Sequence, residues 1–375
     1  MSAEELEQTE NLRELFLNDV PLLDVRAPIE FADGAFPTAE NHPLIDDLER
    51  HEIGLMYRHE GQDEAIELGH RLVRGERRQQ RIARWHAFLQ RHPDAALYCF
   101  RGGMRSQISQ QWLAQETGIH CPRVRGGYKA MRRFLLDQIE QNSPICRPVV
   151  IGGRTGVGKT RLLSDCAAVI DLERLAHHRG SAFGHHPQPQ PTQIDFENAL
   201  SITLLKQVNA GNAPFAIEDE SRNIGSRHVP AVLFARMEQA PLVLLEASDE
   251  HRVDITLQEY VHDSLAAFRA RSGEDQGFQD WADYLLGSID RIRRRLGGER
   301  HSAVRKLMRA AIERHATHNE TEAHRAWIRR LLVDYYDDMY SYQLSKKAER
   351  IVFRGDRDAV LQYLQQNHLR DLPQS

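Results

Sequence analysis

Apolar residues along this chain come in short blocks separated by amphipathic stretches, and the alternation predicts the elements. Val20–Val25, "VPLLDV", reads as a short buried strand, followed by a turn and the start of a short helix in "RAPIEFADG". Residues 63–91 place Ala65, Ile66, Leu68, Leu72, Ile82, Trp85 and Leu89 at helical spacing. "DAALYCF" is a second buried strand that runs into a glycine loop, and Ser106–Glu116 follows as a helix with Ile108, Trp112 and Leu113 inward. "PRVRGGYKAMRRFLLDQIE" gives a short strand, a Gly-Gly turn and a long helix. Strands alternating with helices predict a parallel α/β sheet. After "NSPICRP" the cycle restarts, with strands expected at Val149–Ile151, Val169–Leu172, Phe215–Ile217 and Leu242–Leu245. Beyond about residue 250 the pattern is helical and charged, except for "RIVFRGD" at 350–356, which reads as a late edge strand. "HHPQPQP" at 185–191 reads as an exposed loop. The expected division is an α/β domain over 1–135, a linker over 136–147, a second α/β domain over 148–250, and a mainly helical part over 251–375 packed on the second domain.

Composition bounds this picture without redirecting it. A chain of 375 residues exceeds one ordinary core, so two or three domains are expected. The opening "MSAEELEQTENLRELF" is too acidic for a signal or transit peptide, and no apolar run approaches the ~20 residues that span a bilayer. A cytoplasmic location is therefore expected. Cys99, Cys121, Cys146 and Cys166 show neither a CxxC pair nor zinc-ligand spacing. Each defaults to a buried thiol unless its surroundings say otherwise. The net charge is −5, yet "RLVRGERRQQRIARWHAFLQR", "RIRRRLGG", "RKLMRAAIERH" and "HRAWIRR" concentrate arginine. Such faces bind nucleic acid or are simply solvated beside carboxylates. No coiled-coil heptads appear, and a monomer is expected.

Gly153-Arg-Thr-Gly-Val-Gly-Lys159-Thr160 fits G-x-x-x-x-G-K-[ST], after the apolar "PVVIG" and before the helical "TRLLSDCAAVI". Gly153, Gly156 and Gly158 let backbone N–H groups turn toward a phosphate, Lys159 neutralises its oxygens, and Thr160 is placed for Mg²⁺. The motif leaves open a nucleoside triphosphate or a diphosphate ester. A carboxylate partner for the cation is expected from Glu218, Asp219 or Glu220, just past a strand, with Asp219 and Thr160 the named pair. No tightly bound cofactor is expected.

In "YCFRGGMRSQ", Cys99 ends a strand and a helix begins near Arg105-Ser106. Gly102 and Gly103 permit a tight curl, while Arg101, Arg105 and the helix dipole favour an anion there, a thiolate included. Cys99 is thus the candidate nucleophile, with Arg101 and Arg105 as partners. Two chemistries share the pattern: a rhodanese-type persulfide or perselenide carrier, and a phosphatase of Cys-x5-Arg type. The loop is one residue longer than the usual sulfurtransferase loop, and no general acid for a phosphatase can be placed. Secondary candidates are Arg179 with its glycines, beside His177 and His178, and Glu220 with Arg222, at strand ends where open α/β sheets bind ligands. Gly69 and His70 sit on a predicted helix, as a close-packing or ligand-contact site or equally as a helix break. Trp281 and Trp327 are core residues or base-stacking platforms.

"LLDVRAPIEFADGAFPTAENHPL" resembles the N-terminal signature of a rhodanese domain, and "RVRGGYKAMR" resembles its closing strand and Gly-Gly turn. A rhodanese-like domain fused to a P-loop NTPase-like α/β domain resembles the tRNA 2-selenouridine synthase family, and "GQDEAIELGHRLV", "LAHHRGSAFG" and "EDESRNIG" agree. The resemblance covers residues 20 to about 250. It implies a transferase acting on the wobble uridine of tRNAs for Lys, Glu and Gln. The family converts 2-thiouridine to 2-selenouridine in two steps, S-geranylation by geranyl diphosphate and then displacement of geranyl thiol by selenium from selenophosphate. It implies that Cys99 is the functional cysteine. The P-loop is expected to hold the diphosphate of geranyl diphosphate, the Cys99 loop to hold selenophosphate, and the C-terminal helices to wall the geranyl chain. The alternative is a P-loop kinase or ATPase carrying a rhodanese- or phosphatase-like regulatory module.

Overall fold

The computed structural model describes residues 7–367. They form two compact units: residues up to Gln141 together with Thr192–Lys206, and Asn142–Pro191 together with the residues from Gln207 on.

The first unit contains, in chain order, β1 (Gln8–Thr9), α1 (Leu12–Leu17), β2 (Leu22–Asp24), α2 (Pro28–Asp33), β3 (Ala39–Asn41), α3 (Asp47–His59), α4 (Gln62–Leu72), α5 (Glu76–Arg91), β4 (Ala96–Tyr98), α6 (Met104–Thr117), β5 (Arg123–Val124) and α7 (Gly127–Asn142). The strands form a sheet in the order β1-β5-β4-β2-β3, parallel throughout. Successive residues feed opposite faces. Leu22, Ala96 and Tyr98 join one buried cluster with Phe36, Val124 and Met131, while Leu23, Leu97 and Cys99 join another with Trp85, Phe88 and Trp112. Both faces are covered, as the unbroken apolar blocks of a parallel sheet require.

Three expectations are corrected here. The helix expected over 63–91 is two helices, because Gly75 at φ 55° breaks the chain between α4 and α5. The segment expected as a linker over 136–147 begins as the second half of α7. Residues 193–209, whose range fell in the expected second domain, form a helix that groups with the first unit through Lys206. Its Ser201 Oγ donates to Leu135 O at 2.6 Å, its Asn198 amide donates to Ala35 O at 2.7 Å, and Ile202 and Leu205 enter the core. Helix α3 is an addition that the sequence pattern did not predict; Asp46 and Glu49 cap it reciprocally.

Beneath the sheet's C-terminal edge lies a buried ion pair. Arg26 donates from Nη2 to Asp24 Oδ2 at 2.7 Å and from Nε at 2.9 Å, and both side chains are essentially inaccessible. The guanidinium also donates to Gly34 O at 2.8 Å and lies 4.0 Å from the centre of the Tyr128 ring.

The second unit carries β6 (Pro148–Gly152), α8 (Lys159–Leu163), β7 (Val169–Ile170), α9 (Leu172–Ala176), β8 (Phe215–Glu218), a hairpin of β9 (Asn223–Ile224) and β10 (Arg227–His228), β11 (Leu242–Leu245) and β12 (Ile351–Gly355). Its parallel sheet runs β12-β11-β6-β8-β7, with β12 at the edge as the pattern predicts. The strand expected to reach Leu172 stops at Ile170, because the Asp171 carboxylate accepts from Arg174 N at 2.7 Å and starts α9. Helices beyond residue 249 enclose a second core in which Trp281 and Trp327 are fully buried. Trp281 Nε1 donates to Tyr260 O and Trp327 Nε1 to His324 Nδ1, so neither is a base-stacking platform. Among the described residues no helix is long and apolar enough to cross a membrane.

Removing one partner of a buried pair leaves the other charge uncompensated. Asp24→Ala should destabilise the first unit by about 3–5 kcal/mol. Hydrogen exchange would read this as lost protection in β2, β4 and α7, with the sheet of the second unit unchanged. Replacing both partners by apolar residues should cost less than Asp24→Ala alone.

Candidate functional site: a thiol loop and a phosphate cradle

Cys99 follows β4 directly, and its loop returns to α6 at Met104. The curl is locked by backbone on backbone. Gly102 has φ 66°, and a Cβ there would stand 2.7 Å from Gly126 N; a Cβ on Gly127 would stand 2.2 Å from Cys99 O. Tyr128 N donates to Cys99 O at 2.9 Å, Lys129 N to Phe100 O at 3.0 Å, and Arg123 Nη1 to Gly102 O at 2.8 Å. The cysteine is buried at 3% exposure. Its thiol donates to Ser106 Oγ at 3.2 Å, and that hydroxyl donates to Gly103 O at 2.9 Å. Ser106 and the Gly126-Gly127 turn are parts of the site that sequence reasoning did not assign. Burial pushes the Cys121 thiol up to about 12 and those of Cys146 and Cys166 to about 11, away from the nucleophilic thiolate form.

The two loop arginines are not equivalent. Arg101 is exposed and, among the described residues, makes no side-chain hydrogen bond or ion pair. Arg105, expected to serve an anion, is held by Glu30 at 2.5 Å and 3.0 Å. Burial disfavours the Glu30 anion, but the hydrogen bonds and charge of Arg105 hold its carboxyl below the ordinary range. Glu30 also accepts from Ala27 N at 3.1 Å and lies 3.3 Å from Arg50. An anion at Cys99 thus competes with Glu30 for Arg105, and Arg101 lines the same cavity.

In the second unit, Gly153–Thr160 links β6 to α8. Gly156, at φ 78°, is pressed against the helix Asp249–Leu257: a Cβ would meet Thr256 Oγ1 at 2.4 Å and Arg252 O at 2.9 Å. Arg252 is buried; its Nε donates to Thr155 O at 3.1 Å and its Nη2 to Asp337 Oδ1 at 2.6 Å. This clamp, from far along the chain, fixes the outer side of the loop.

Carboxylates crowd the cradle. Thr160 Oγ1 donates to Glu173 Oε2 at 3.3 Å, and Glu173 Oε1 accepts from Gly180 N at 2.5 Å. Glu173 N donates to Glu218 Oε2 at 2.8 Å, while Glu218 Oε1 is buried with no hydrogen-bond partner among the described residues. Burial raises the Glu218 carboxyl well above its usual range, with Glu173 and Asp171 adding to it. Glu220 is raised to about 8 by burial and Glu173, against the pull of Lys159. Asp219, named from sequence as the cation ligand, is engaged by Lys347 Nζ at 2.6 Å. Glu173, which no motif marked, is the carboxylate that Thr160 contacts. Lys159 Nζ lies 3.4 Å from Gly153 O, and its charge is favoured by Glu220 and Glu173 in spite of burial. Arg179 Nη1 donates to Glu259 O at 3.0 Å, while Arg222 is exposed. Among the described residues no group of three or more His, Cys, Asp or Glu is arranged to hold a metal ion.

Much of the arginine in the basic runs is paired. Arg77 and Arg81 reach Glu49, Arg78 reaches Glu116, Arg305 reaches Asp290, and Arg325 and Arg329 reach Glu250.

Fold and loops together define a two-unit α/β protein with a strand-end thiol in one unit and a P-loop phosphate cradle in the other. Residues 146–371 match the family described as the tRNA 2-selenouridine synthase AAA domain. Three curated relatives are each called tRNA 2-selenouridine synthase. The protein of Bordetella bronchiseptica is 54% identical, over 95% of this chain and 97% of its own length. Those of Cupriavidus pinatubonensis and Marinobacter nauticus are 52% and 50% identical, over 97% and 95% of this chain and 100% and 96% of theirs. The chain belongs to the tRNA 2-selenouridine synthase family, as the motif resemblance implied.

The raised Glu220 carboxyl gives a signed pH dependence. Between its ordinary 4.5 and about 8, the folded chain holds a proton that the unfolded chain has lost. Its contribution to stability therefore declines as pH rises through that window. Binding of inorganic diphosphate should weaken above pH about 8, approaching tenfold per pH unit, as binding takes up one proton. Calorimetry in buffers of different ionisation heat should show that uptake, and Glu220→Gln should lack it.

Proposed function

We propose that this chain converts 2-thiouridine at the wobble position of tRNA to 2-selenouridine by way of an S-geranyl intermediate, with the first unit serving as a rhodanese-like domain. The observation that carries the reading is that a member of this family keeps both active loops complete, with the Cys99 loop locked by its glycines and the Gly153–Thr160 cradle clamped by Arg252.

In the first step the thiocarbonyl sulfur bonds to C1 of geranyl diphosphate, the C1–O bond breaks and diphosphate departs. The P-loop amides and Lys159 stabilise that leaving group. Mg²⁺ suits the donor set, since it needs only one or two protein ligands beside phosphate oxygens. Thr160 and Glu218, whose Oε1 has no hydrogen-bond partner among the described residues, would supply them, whereas Asp219 is committed to Lys347. When bound, the ion neutralises charge on the diphosphate. A protonated Glu220 keeps the cradle from repelling the anion.

In the second step selenium from selenophosphate bonds to C2, the C2–S bond breaks and geranyl thiol leaves. The phosphoryl group passes to water. Alkylation is what turns a poor leaving group into a thiol. Arg101 is free to meet the selenophosphate anion, and Cys99 stands in the same loop to carry selenium or assist its delivery. The substrates follow the family: tRNAs for Lys, Glu and Gln, in the cytoplasm, acted on by a monomer. Arg293, Arg294 and Arg295 are exposed and offer phosphate contacts.

Incubation with 2-thiouridine tRNA, geranyl diphosphate and selenophosphate, followed by nucleoside mass spectrometry, tests the reading. Lys159→Ala should lower S-geranyl-2-thiouridine formation by roughly 10²–10³-fold. Cys99→Ser should form that intermediate and accumulate it. Nucleotide hydrolysis with no mass change in the tRNA would instead mark a P-loop ATPase.

A further inference from the structure

The first unit contains a cavity of about 1020 Å³ that neither loop accounts for. It is lined by Cys99, Arg101 and Arg105, and its other walls are mostly apolar: Ile45 from the loop before α3, Ile53 from α3, Ile66 and Val73 from α4 and just beyond it, and Ile108 and Trp112 from α6, with Gln62 and His70 of α4 among them. The volume stands at the upper end of the about 300–1,000 Å³ found for small-molecule sites. Selenophosphate is a small, fully polar anion. It uses the charged end and has no use for the apolar body.

Three further features fit an apolar chain that enters past the thiol. Charged groups line the cavity beside the reacting thiol and apolar residues predominate in the remaining lining, as an amphipathic substrate requires. The α3–α4 hairpin carries a glycine on each helix: at Gly54 an added Cβ would meet nothing within 4 Å, and at Gly69 it would only touch Ile53 Cδ1 at 3.6 Å. A helix-interior glycine costs ~1 kcal/mol relative to alanine, so leaving one in open space at the cavity wall favours room over helix stability. Finally, Tyr57 and Met104, both lining the cavity, are 58% and 42% exposed, which keeps apolar surface open to an incoming ligand.

We propose that this cavity binds the ten-carbon prenyl chain of S-geranylated tRNA, seating the sulfur–C2 bond beside Cys99 for the selenium step. The inference rests on the proposed function. It also relocates the chain, which the sequence reading had set against the C-terminal helices. The interior there is filled by Trp281, Trp327 and their neighbours, and a second cavity, of about 610 Å³, is lined by polar groups including His262, Arg269 and Glu274.

The test compares two synthetic anticodon stem-loops, one carrying S-geranyl-2-thiouridine and one 2-thiouridine, titrated against the full-length chain by fluorescence anisotropy. The wild type should bind the geranylated loop roughly 10–100-fold more tightly, from the methylenes buried. Gly54→Phe, which fills the cavity from open space, should bring the ratio of the two affinities to about 1, and Ile66→Trp does the same job if the first variant misfolds. An S-methyl-2-thiouridine loop should show little of the preference in the wild type. A preference that survives both substitutions in folded protein overturns the assignment, and so does an equal loss for both loops. A wild type that modifies no tRNA in the nucleoside assay overturns the proposed function instead. Wild-type turnover of both steps with a Gly54→Phe variant that still consumes S-geranyl tRNA at the wild-type rate overturns the cavity alone.

Discussion

The thiol loop exists because two backbones approach more closely than side chains allow. Gly102 lies against Gly126 and Val124, and Gly127 lies against the carbonyl of Cys99, at distances where any Cβ would collide. This contact fixes the loop against the start of α7 and orders its amides without help from a ligand. Everything argued for Cys99 follows from it: the thiol held at the end of β4, its hydrogen bond to Ser106, and the open mouth beside Arg101. A loop ordered in advance gives up less conformational freedom when it binds an anion.

Charge balance is the second constraint. In the first unit, Arg26 with Asp24 and Arg105 with Glu30 are closed pairs, and they leave Arg101 as the cation free for a ligand among those in the Cys99 loop. The second unit is balanced the other way. Glu173, Glu218 and Glu220 crowd one lysine, and burial raises the carboxyls of Glu218 and Glu220 above their ordinary range. The cradle is therefore less negative than its sequence suggests. An arriving diphosphate favours proton uptake by these carboxyls and an arriving cation favours proton release, so binding and protonation are linked.

The apolar cavity gives the first unit a function beyond presenting a thiol. Helices α3 and α4 extend the parallel sheet with a wall that a carrier of small anions does not need. Its glycines keep the wall thin where a chain would lie. Under the proposed function, the division of labour is between a unit that handles the diphosphate leaving group and a unit that handles the thiol and the apolar chain.

The linear pattern determined the alternation of strands and helices, the two α/β cycles, the edge strand near the C-terminus, the cradle Gly153–Thr160 and the position of Cys99 at a strand end. These are legible because each depends on neighbours in the chain: short unbroken apolar runs, glycines at fixed offsets, a lysine next to a helix start. The tertiary structure decided what depends on residues far apart. It committed Asp219 to Lys347 and Arg105 to Glu30, brought Glu173 to Thr160, and set the Arg252 clamp against a loop 97 residues earlier. It joined Thr192–Lys206 to the first unit, buried Trp281 and Trp327, and opened the cavity between helices whose apolar residues, in sequence, read only as core. Local periodicity reports which side of an element is apolar. Whether that side meets a packed neighbour or an empty space is fixed only when all the elements are in place.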